Sequence, residues 1–313
     1  MKSDASLLSR RALLAAGAVL LSPPVPAKEK LKVAVFSKHL QFLAGDSLAA
    51  GVAELGFDGL DITVRKGGHV EPAQVSQDLP ALAATLSRHG LEVPMVTTDI
   101  VDAETPFAED ILKTMARLGI RNYRFGAFKW EARQPYDAQL ERMKPRLAKL
   151  AALNTKYQAC AMYHTHSGAG LVGASIWDLY ILMKELDPKA MGVNYDVGHA
   201  TIEGGLGGWI DSFKISGAHL RGIAVKDFLW EQDAKGNWRE QWKPIGEGMV
   251  RFPQFFAMVA EAGFAGPLQM HYEYPLGGAN NGTRKITISR EEVFSAMKKD
   301  LVKVRGYLGQ AGV

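Results

Sequence analysis

From residue 31 onward, the chain alternates short runs of apolar and β-branched residues with longer stretches whose apolar positions recur every three or four residues. A short apolar run bounded by turn residues reads as a strand covered on both faces, and the longer recurrence reads as an amphipathic helix. The strands fall at residues 32–37, 59–65, 92–99, 122–127, 157–166, 191–196, 222–227 and 267–274. A helix follows each, at 46–55, 75–89, 107–118, 137–153, 175–186, 207–216, 252–262 and 290–308. Gly56, Gly119 and Gly263 stand just past three of these helices, where a left-handed turn ends a helix before the next strand. Eight β/α pairs predict a single-domain (β/α)8 TIM barrel over residues 28–313, close to that fold's typical length of about 250 residues. A doubly wound open sheet fits less well. No Gly-x-Gly-x-x-Gly turn follows the first strand, and polar residues gather at the ends of many strands rather than at one crevice.

The pattern excludes the first 27 residues from the barrel. Arg10-Arg11, an apolar stretch from Ala12 to Leu21, and Val25-Pro26-Ala27 form a charged region, a short hydrophobic region and a small-residue cleavage site. The hydrophobic region is too short to span a bilayer of about 30 Å. Ser9-Arg10-Arg11 is similar to a twin-arginine leader, so export to the periplasm of an already folded protein is expected, with no stable membrane insertion after the leader is removed.

Charge and cysteine content narrow the partners. Of the formal net charge of +4, the leader carries Lys2, Arg10 and Arg11 against Asp4, which leaves +2 on the rest. No basic stripe interleaved with aromatics suggests nucleic acid. Cys160 is the only cysteine among the 313 residues, so neither an intrachain disulfide nor a thiolate metal cluster can form.

In a TIM barrel the active face lies at the carboxyl ends of the strands, where alternate residues point inward. Those positions are polar here. The fifth strand runs into His164-Thr165-His166, with both imidazoles on one face. The second carries Asp61, Thr63 and Arg65, with His69 in the loop beyond. The sixth ends at Asp196, with His199 just after it, the seventh at Lys226, and the eighth at His271 and Glu273. A buried polar group without a partner costs on the order of 1 to 3 kcal/mol, so these residues must partner one another, water, a metal or a substrate. Imidazoles and carboxylates without thiolates suit a divalent cation such as Zn, Mn or Mg. His164, Asp196 and His271 are the expected ligands. Glu273 is a fourth ligand or a general base, and His199, His166 and Lys226 are proton shuttles or oxyanion partners. Arg65, His69, Asp61 and Trp230 are the expected substrate contacts. Trp130, Trp238 and Trp242 also stand in or after strand ends, where a sugar face can stack.

The stretches ELGFDGLDI, NYDVGHA, VKDF, PIGEGMVRF and AGFAGPLQMHYEY, in that order, resemble the xylose isomerase-like TIM barrels, which include sugar phosphate isomerase/epimerase and endonuclease IV relatives. The resemblance implies a metal held by a glutamate of the fifth strand, the aspartate of Asp-x-x-His, a histidine of the seventh strand and a glutamate of the eighth. Those positions fall on His164, Asp196, Ala224 and His271, so only Asp196 matches. His199 matches the Asp-x-x-His histidine, which in the family lies near the substrate. Two carboxylates are replaced by imidazoles and one ligand position is open, with Glu273 two residues past His271 as a substitute acid.

The resemblance implies a metal-dependent sugar isomerase or epimerase that removes a proton next to a carbonyl. With an export leader and no phosphate cradle at the GGHV or GGAN loops, a non-phosphorylated sugar or sugar derivative is the expected small-molecule partner. A lyase acting on an oxidised sugar or glycoside begins with the same proton transfer. A noncatalytic carbohydrate-binding barrel is the alternative outside enzymology.

Overall fold

The computed structural model of the chain describes residues 30–313. The leader read at residues 1–27 lies outside them. Eight parallel strands close into a barrel in which each neighbours the next around the ring: β1 (Val33–Phe36), β2 (Gly59–Val64), β3 (Met95–Thr98), β4 (Asn122–Phe125), β5 (Cys160–His164), β6 (Met191–Asp196), β7 (Leu220–Val225) and, after a separate hairpin, β10 (Leu268–Met270), which pairs back onto β1. The barrel strands are almost wholly buried, as parallel strands covered by helices must be.

The helices α1 (Gly45–Leu55), α2 (Val75–Arg88), α3 (Ala108–Leu118), α4 (Tyr136–Tyr157) and α5 (Ile176–Met183) follow the first five strands. After β6 come α6 (Val197–Gly204) and α7 (Gly208–Ser216), after the hairpin α8 (Phe252–Glu261), and after β10 the closing α9 (Arg290–Ala311). Each turns its apolar stripe onto the barrel; in α3, Ile111, Leu112 and Met115 are the buried positions. Fully burying one such side chain stabilises by roughly 1.5–3 kcal/mol. Gly56, Gly119 and Gly263 have φ of 88°, 71° and 62°, the left-handed conformation expected past a helix end.

Several boundaries differ from the sequence reading. The fifth strand begins at Cys160 rather than Tyr157, because α4 continues through Tyr157 and ends on Gln158 at φ 53°. The third strand begins at Met95, not residue 92. The eighth barrel strand is only three residues long, so His271 and Glu273 stand just beyond it. DVGHATIEG forms a helix of its own, α6, because the Asp196 carboxylate caps it. The stretch after the seventh strand is an unforeseen antiparallel hairpin, β8 (Asp227–Gln232) with β9 (Trp238–Lys243).

Inside the barrel, Met95, Cys160 and Met162 form a small apolar cluster apart from the main core. On the same strand, His164 is the next inward position, and there the lumen turns polar: Asn194, Asp196, Gln269 and His271 are all buried. This polar layer at the carboxyl end is where the chemistry must be sought.

Candidate functional site

The site is built from strand ends. Asp196 closes β6 and caps α6, its Oδ1 accepting from the His199 amide at 2.9 Å. That cap gives the Asp-x-x-His spacing a physical reason, because one helical turn carries the His199 ring into the same mouth. Asp196 is anchored from its other side by Thr165 Oγ1, which accepts from the Asp196 amide at 2.9 Å. Lys226, just past β7, places Nζ 3.2 Å from Asp196 Oδ2 and donates to His199 Nε2 at 2.7 Å. Gly198 makes room for this approach: a Cβ there would lie 2.8 Å from Lys226 Cγ and 3.0 Å from its carbonyl oxygen.

His164 ends β5 with Nε2 3.4 Å from Asp196 Oδ2. The His271 ring stacks on His164, with centroids 5.1 Å apart, and on Phe36 of β1 at 4.8 Å. His271 Nε2 is buried and makes no hydrogen bond, and the buried Asp196 Oδ2 meets the Lys226 ammonium and His164 Nε2. His164, Asp196 and His271 each offer one ligand atom, all within 4.8 Å of one another. Burial, joined by the charge of Arg124 at His164 and of Lys226 at His271, holds both imidazoles well below the ordinary histidine value. They are therefore neutral, the form a metal requires. Burial pushes the Asp196 carboxyl up, against the opposing charge of Lys226.

Asn194 Nδ2 lies 3.3 Å from His164 Nδ1, while Asn194 Oδ1 is buried without a partner. Turned over, that amide would accept from His164 Nδ1–H and leave Nε2 as a free lone pair toward Asp196, the outer support a ligating histidine usually has. The donor set thus fits a divalent cation held by two neutral imidazoles and one carboxylate with open positions. Ala224, in register with Asp196, supplies no ligand.

A second trio, His164, His166 and His199, also brings ligand atoms within 4.8 Å, but its nitrogens are largely engaged. His166 Nε2 accepts from Arg124 Nη2 at 3.2 Å and its Nδ1 lies 3.1 Å from the His164 carbonyl oxygen. His199, with Nε2 accepting from Lys226, keeps its proton on Nδ1, 2.7 Å from Ser167 Oγ. This trio is a hydrogen-bond network in which burial and the Arg124 charge lower His166 to about 3. Trp242 of the hairpin lies 4.5 Å beneath the Lys226 ammonium and presents its ring to the edge of His199 at 5.2 Å. Glu273 pairs with Lys38 at 3.4 Å. Burial alone would raise its carboxyl, but Lys226 and Lys38 outweigh burial and hold it below the ordinary value.

The structure gathers His164, His166, Asp196, His199, Lys226 and His271 and sets Glu273 within electrostatic reach of Asp196 and Lys226. Three of the expected substrate contacts have other partners. Asp61 is fully buried, its oxygens 2.8 and 3.0 Å from Thr97 Oγ1, and burial raises it to about 7. His69 has both nitrogens engaged, Nε2 with the Leu43 carbonyl at 3.2 Å and Nδ1 with Thr63 Oγ1 at 3.3 Å, and so ties two loops together. Trp230 packs edge-on against Phe228, and the hairpin tryptophan that touches the polar cluster is Trp242. Trp130 stacks on Tyr136 and Trp238 faces outward, 63% exposed. Lys38, Arg124, Ser167 and Asn194 were not foreseen. Arg124 had a readable signal, because Tyr123 and Phe125 are outward apolar positions that leave Arg124 facing in.

A family profile described as xylose isomerase-like TIM barrel matches residues 49–291. No curated protein sequence matches the chain. Among solved structures, a D-tagatose 3-epimerase-like protein superposes with a TM-score of 0.66 at 16% identity, covering 90% of this chain and 98% of its own. A xylose isomerase domain protein from Planctomyces limnophilus gives 0.61 at 17% identity, covering 90% and 97%. A 3-keto-D-glucoside 4-epimerase from E. coli gives 0.63 at 14% identity, covering 88% and 100%. At these identities the likeness is one of fold.

Proposed function

Because the chain belongs to the xylose isomerase-like TIM barrel family, we propose that it is an exported, divalent-metal-dependent sugar isomerase or epimerase acting on a non-phosphorylated sugar or sugar derivative. The observation that carries this reading is the buried His271 Nε2, which has no hydrogen bond, within 4.8 Å of ligand atoms on Asp196 and a neutral His164. The sugar epimerases among the structural neighbours support the substrate class, and the leader at residues 1–27 supports export.

In this reading His164, Asp196 and His271 hold the ion. Bound there, it supplies Lewis acidity to a sugar carbonyl and its neighbouring hydroxyl. Glu273, kept ionised by Lys38 and Lys226, takes the proton from the carbon next to the carbonyl. Lys226 donates toward the oxygen on which charge develops, and His199, its Nδ1 proton directed at Ser167, fixes the ammonium in place.

Two measurements test the proposal. The first is elemental analysis of wild type and an Asp196→Ala, His271→Ala double variant. The second is deuterium uptake from D2O at the carbon beside the carbonyl of candidate sugars. Near-stoichiometric metal lost in the double variant, together with metal-dependent uptake, is the expected result. Wild type without metal after incubation with Zn, Mn and Mg would remove the metal role, and no uptake in any sugar would leave a binding barrel. Recovery of the protein in the cytoplasmic fraction would remove the export assignment.

A further inference from the structure

Two arginines at the barrel mouth form no ion pair among the described residues, with Asp61 reaching them only through its charge. Of the cations there, Lys38 pairs with Glu273 and Lys226 with Asp196. The remaining acid, Asp61, lies in the barrel with both oxygens on Thr97. Arg65 and Arg124 are left over. Both guanidiniums gather on Phe36, at 5.6 and 6.0 Å from its ring centroid, and the same ring stacks on His271 of the candidate metal trio. The Arg124 guanidinium donates to neutral His166, and neither arginine forms an ion pair among the described residues.

Both side chains are only partly exposed. Burial and the charge of Arg65 weigh against the charged Arg124, and the acids that offset them, Asp61, Asp196 and Glu273, act on it without an ion-pair contact. A neutral hexose has no use for two guanidiniums beside its carbonyl. A carboxylate does, because a planar guanidinium fork matches two carboxylate oxygens, and a partly desolvated site strengthens the match.

We propose that Arg65 and Arg124 form the recognition site for a carboxylate on the substrate, so that the sugar handled at His164, Asp196 and His271 is a sugar acid. The inference rests on the proposed function and narrows it. Phosphate shares the oxyanion chemistry, but two side chains without a glycine-rich backbone cradle or a helix N-terminus suit a single planar anion better.

The test is direct binding to the purified full-length protein by calorimetry, with and without added Mn or Zn. The probes are matched sets: D-galacturonate, D-galactose and D-galactose 6-phosphate, and the corresponding D-glucose series. The uronate should bind about tenfold or more tighter than its parent hexose, and this preference should vanish in Arg65→Gln and shrink in Arg124→Lys, which keeps the charge and loses the fork. Melting curves identify any variant that does not fold, and the wild-type ratio and the other variant then decide. Equal binding of uronate and hexose in both series overturns the proposal, as does a preference for the phosphate or a uronate preference that survives both substitutions. Deuterium uptake is scored separately, so a protein that prefers uronates but exchanges no proton retains this inference and loses the isomerase reading, and the converse result does the opposite.

Discussion

Asp196 Oδ2 lies 3.2 Å from the Lys226 ammonium and 3.4 Å from His164 Nε2, so the oxygen offered to a metal ion is also the anion for a buried lysine. An incoming divalent cation must share that oxygen with Lys226 or push the ammonium toward His199 and Trp242. Lys226→Met should therefore bind Mn or Zn about tenfold more tightly while losing on the order of 10²-fold or more in turnover. The metal-free variant should unfold more easily by about 3–5 kcal/mol, since Asp196 is left unpaired, and added metal should restore most of the loss. Calorimetric metal titration and melting with and without metal would check both. Unchanged metal affinity would mean that the ammonium does not compete.

Asp196 has two separable tasks, and two substitutions divide them. Alanine removes both the helix cap and the charge, whereas asparagine can still accept from the His199 amide. Both variants leave the buried Lys226 ammonium without its anion, and Asp196→Ala should destabilise by about 1 kcal/mol more than Asp196→Asn, the share of the α6 cap. Asp196→Asn should keep the cap and lose metal affinity and turnover about equally with alanine. Urea unfolding of the metal-free proteins, set beside elemental analysis, would separate the two effects. An asparagine variant that retains full metal would remove Asp196 from the ligand set.

The barrel was legible because its signals repeat: eight apolar runs, eight helical stripes, and glycine at helix ends. The polar cluster was legible where strand parity alone sets direction, as at His164, Asp196 and Lys226. It failed where direction depends on a partner distant in sequence. Asp61 and His69 have the residue types of a binding site, yet Thr97 and the Leu43 carbonyl engage them. Lys38 lies in a 3-10 turn after β1 and reaches Glu273, 235 residues away, a pairing no local pattern encodes. The hairpin did carry a signal, the alternation in DFLWEQ and WREQWK around Lys-Gly-Asn, but the eight-pair pattern of the barrel hid it.

The Lys-Asp and Gly-Glu-Gly stretches are joined by one carboxylate. Asp227 accepts through Oδ2 from the amides of Gly246 and Gly248, at 2.8 and 2.9 Å, and through Oδ1 from Phe228 and Val250, at 2.9 and 3.2 Å. The residue next to Lys226 is thus a clamp that fixes the return of the hairpin toward α8. Asp227→Ala strands four amide donors and should destabilise by about 3–5 kcal/mol. Metal stoichiometry should be retained in the folded fraction. A loss below about 1 kcal/mol in urea unfolding would show that water replaces the carboxylate at little cost.

Acid stability offers a test away from the site. Asp300 is buried, accepts from Tyr274 Oη at 3.0 Å and the Ile245 amide at 3.1 Å, and is raised by burial to about 6 from 3.8. Between those values the folded protein holds a proton that the unfolded chain has released, so this group's contribution falls as pH rises. The buried histidines act in the opposite sense. His39, lowered by burial to about 3, and His69, lowered to about 4, remain neutral while the unfolded chain charges below 6.5, so their contribution is complete above 6.5 and is lost as pH falls. The raised carboxyls Asp61, Asp178 and Asp300 therefore offset part of the histidine loss between about pH 4 and 6. Below about 4 the offset ends, because unfolded carboxylates protonate too, and stability should drop steeply. Asp300→Asn keeps the shape and removes one opposing group. Relative to wild type, the variant should gain about 3 kcal/mol between pH 4 and pH 7, at roughly 1.4 kcal/mol per pH unit across the window. Urea unfolding at pH 4, 5, 6 and 7 would measure the difference, and a gap that does not change with pH would mean that Asp300 is ionised throughout in the folded protein.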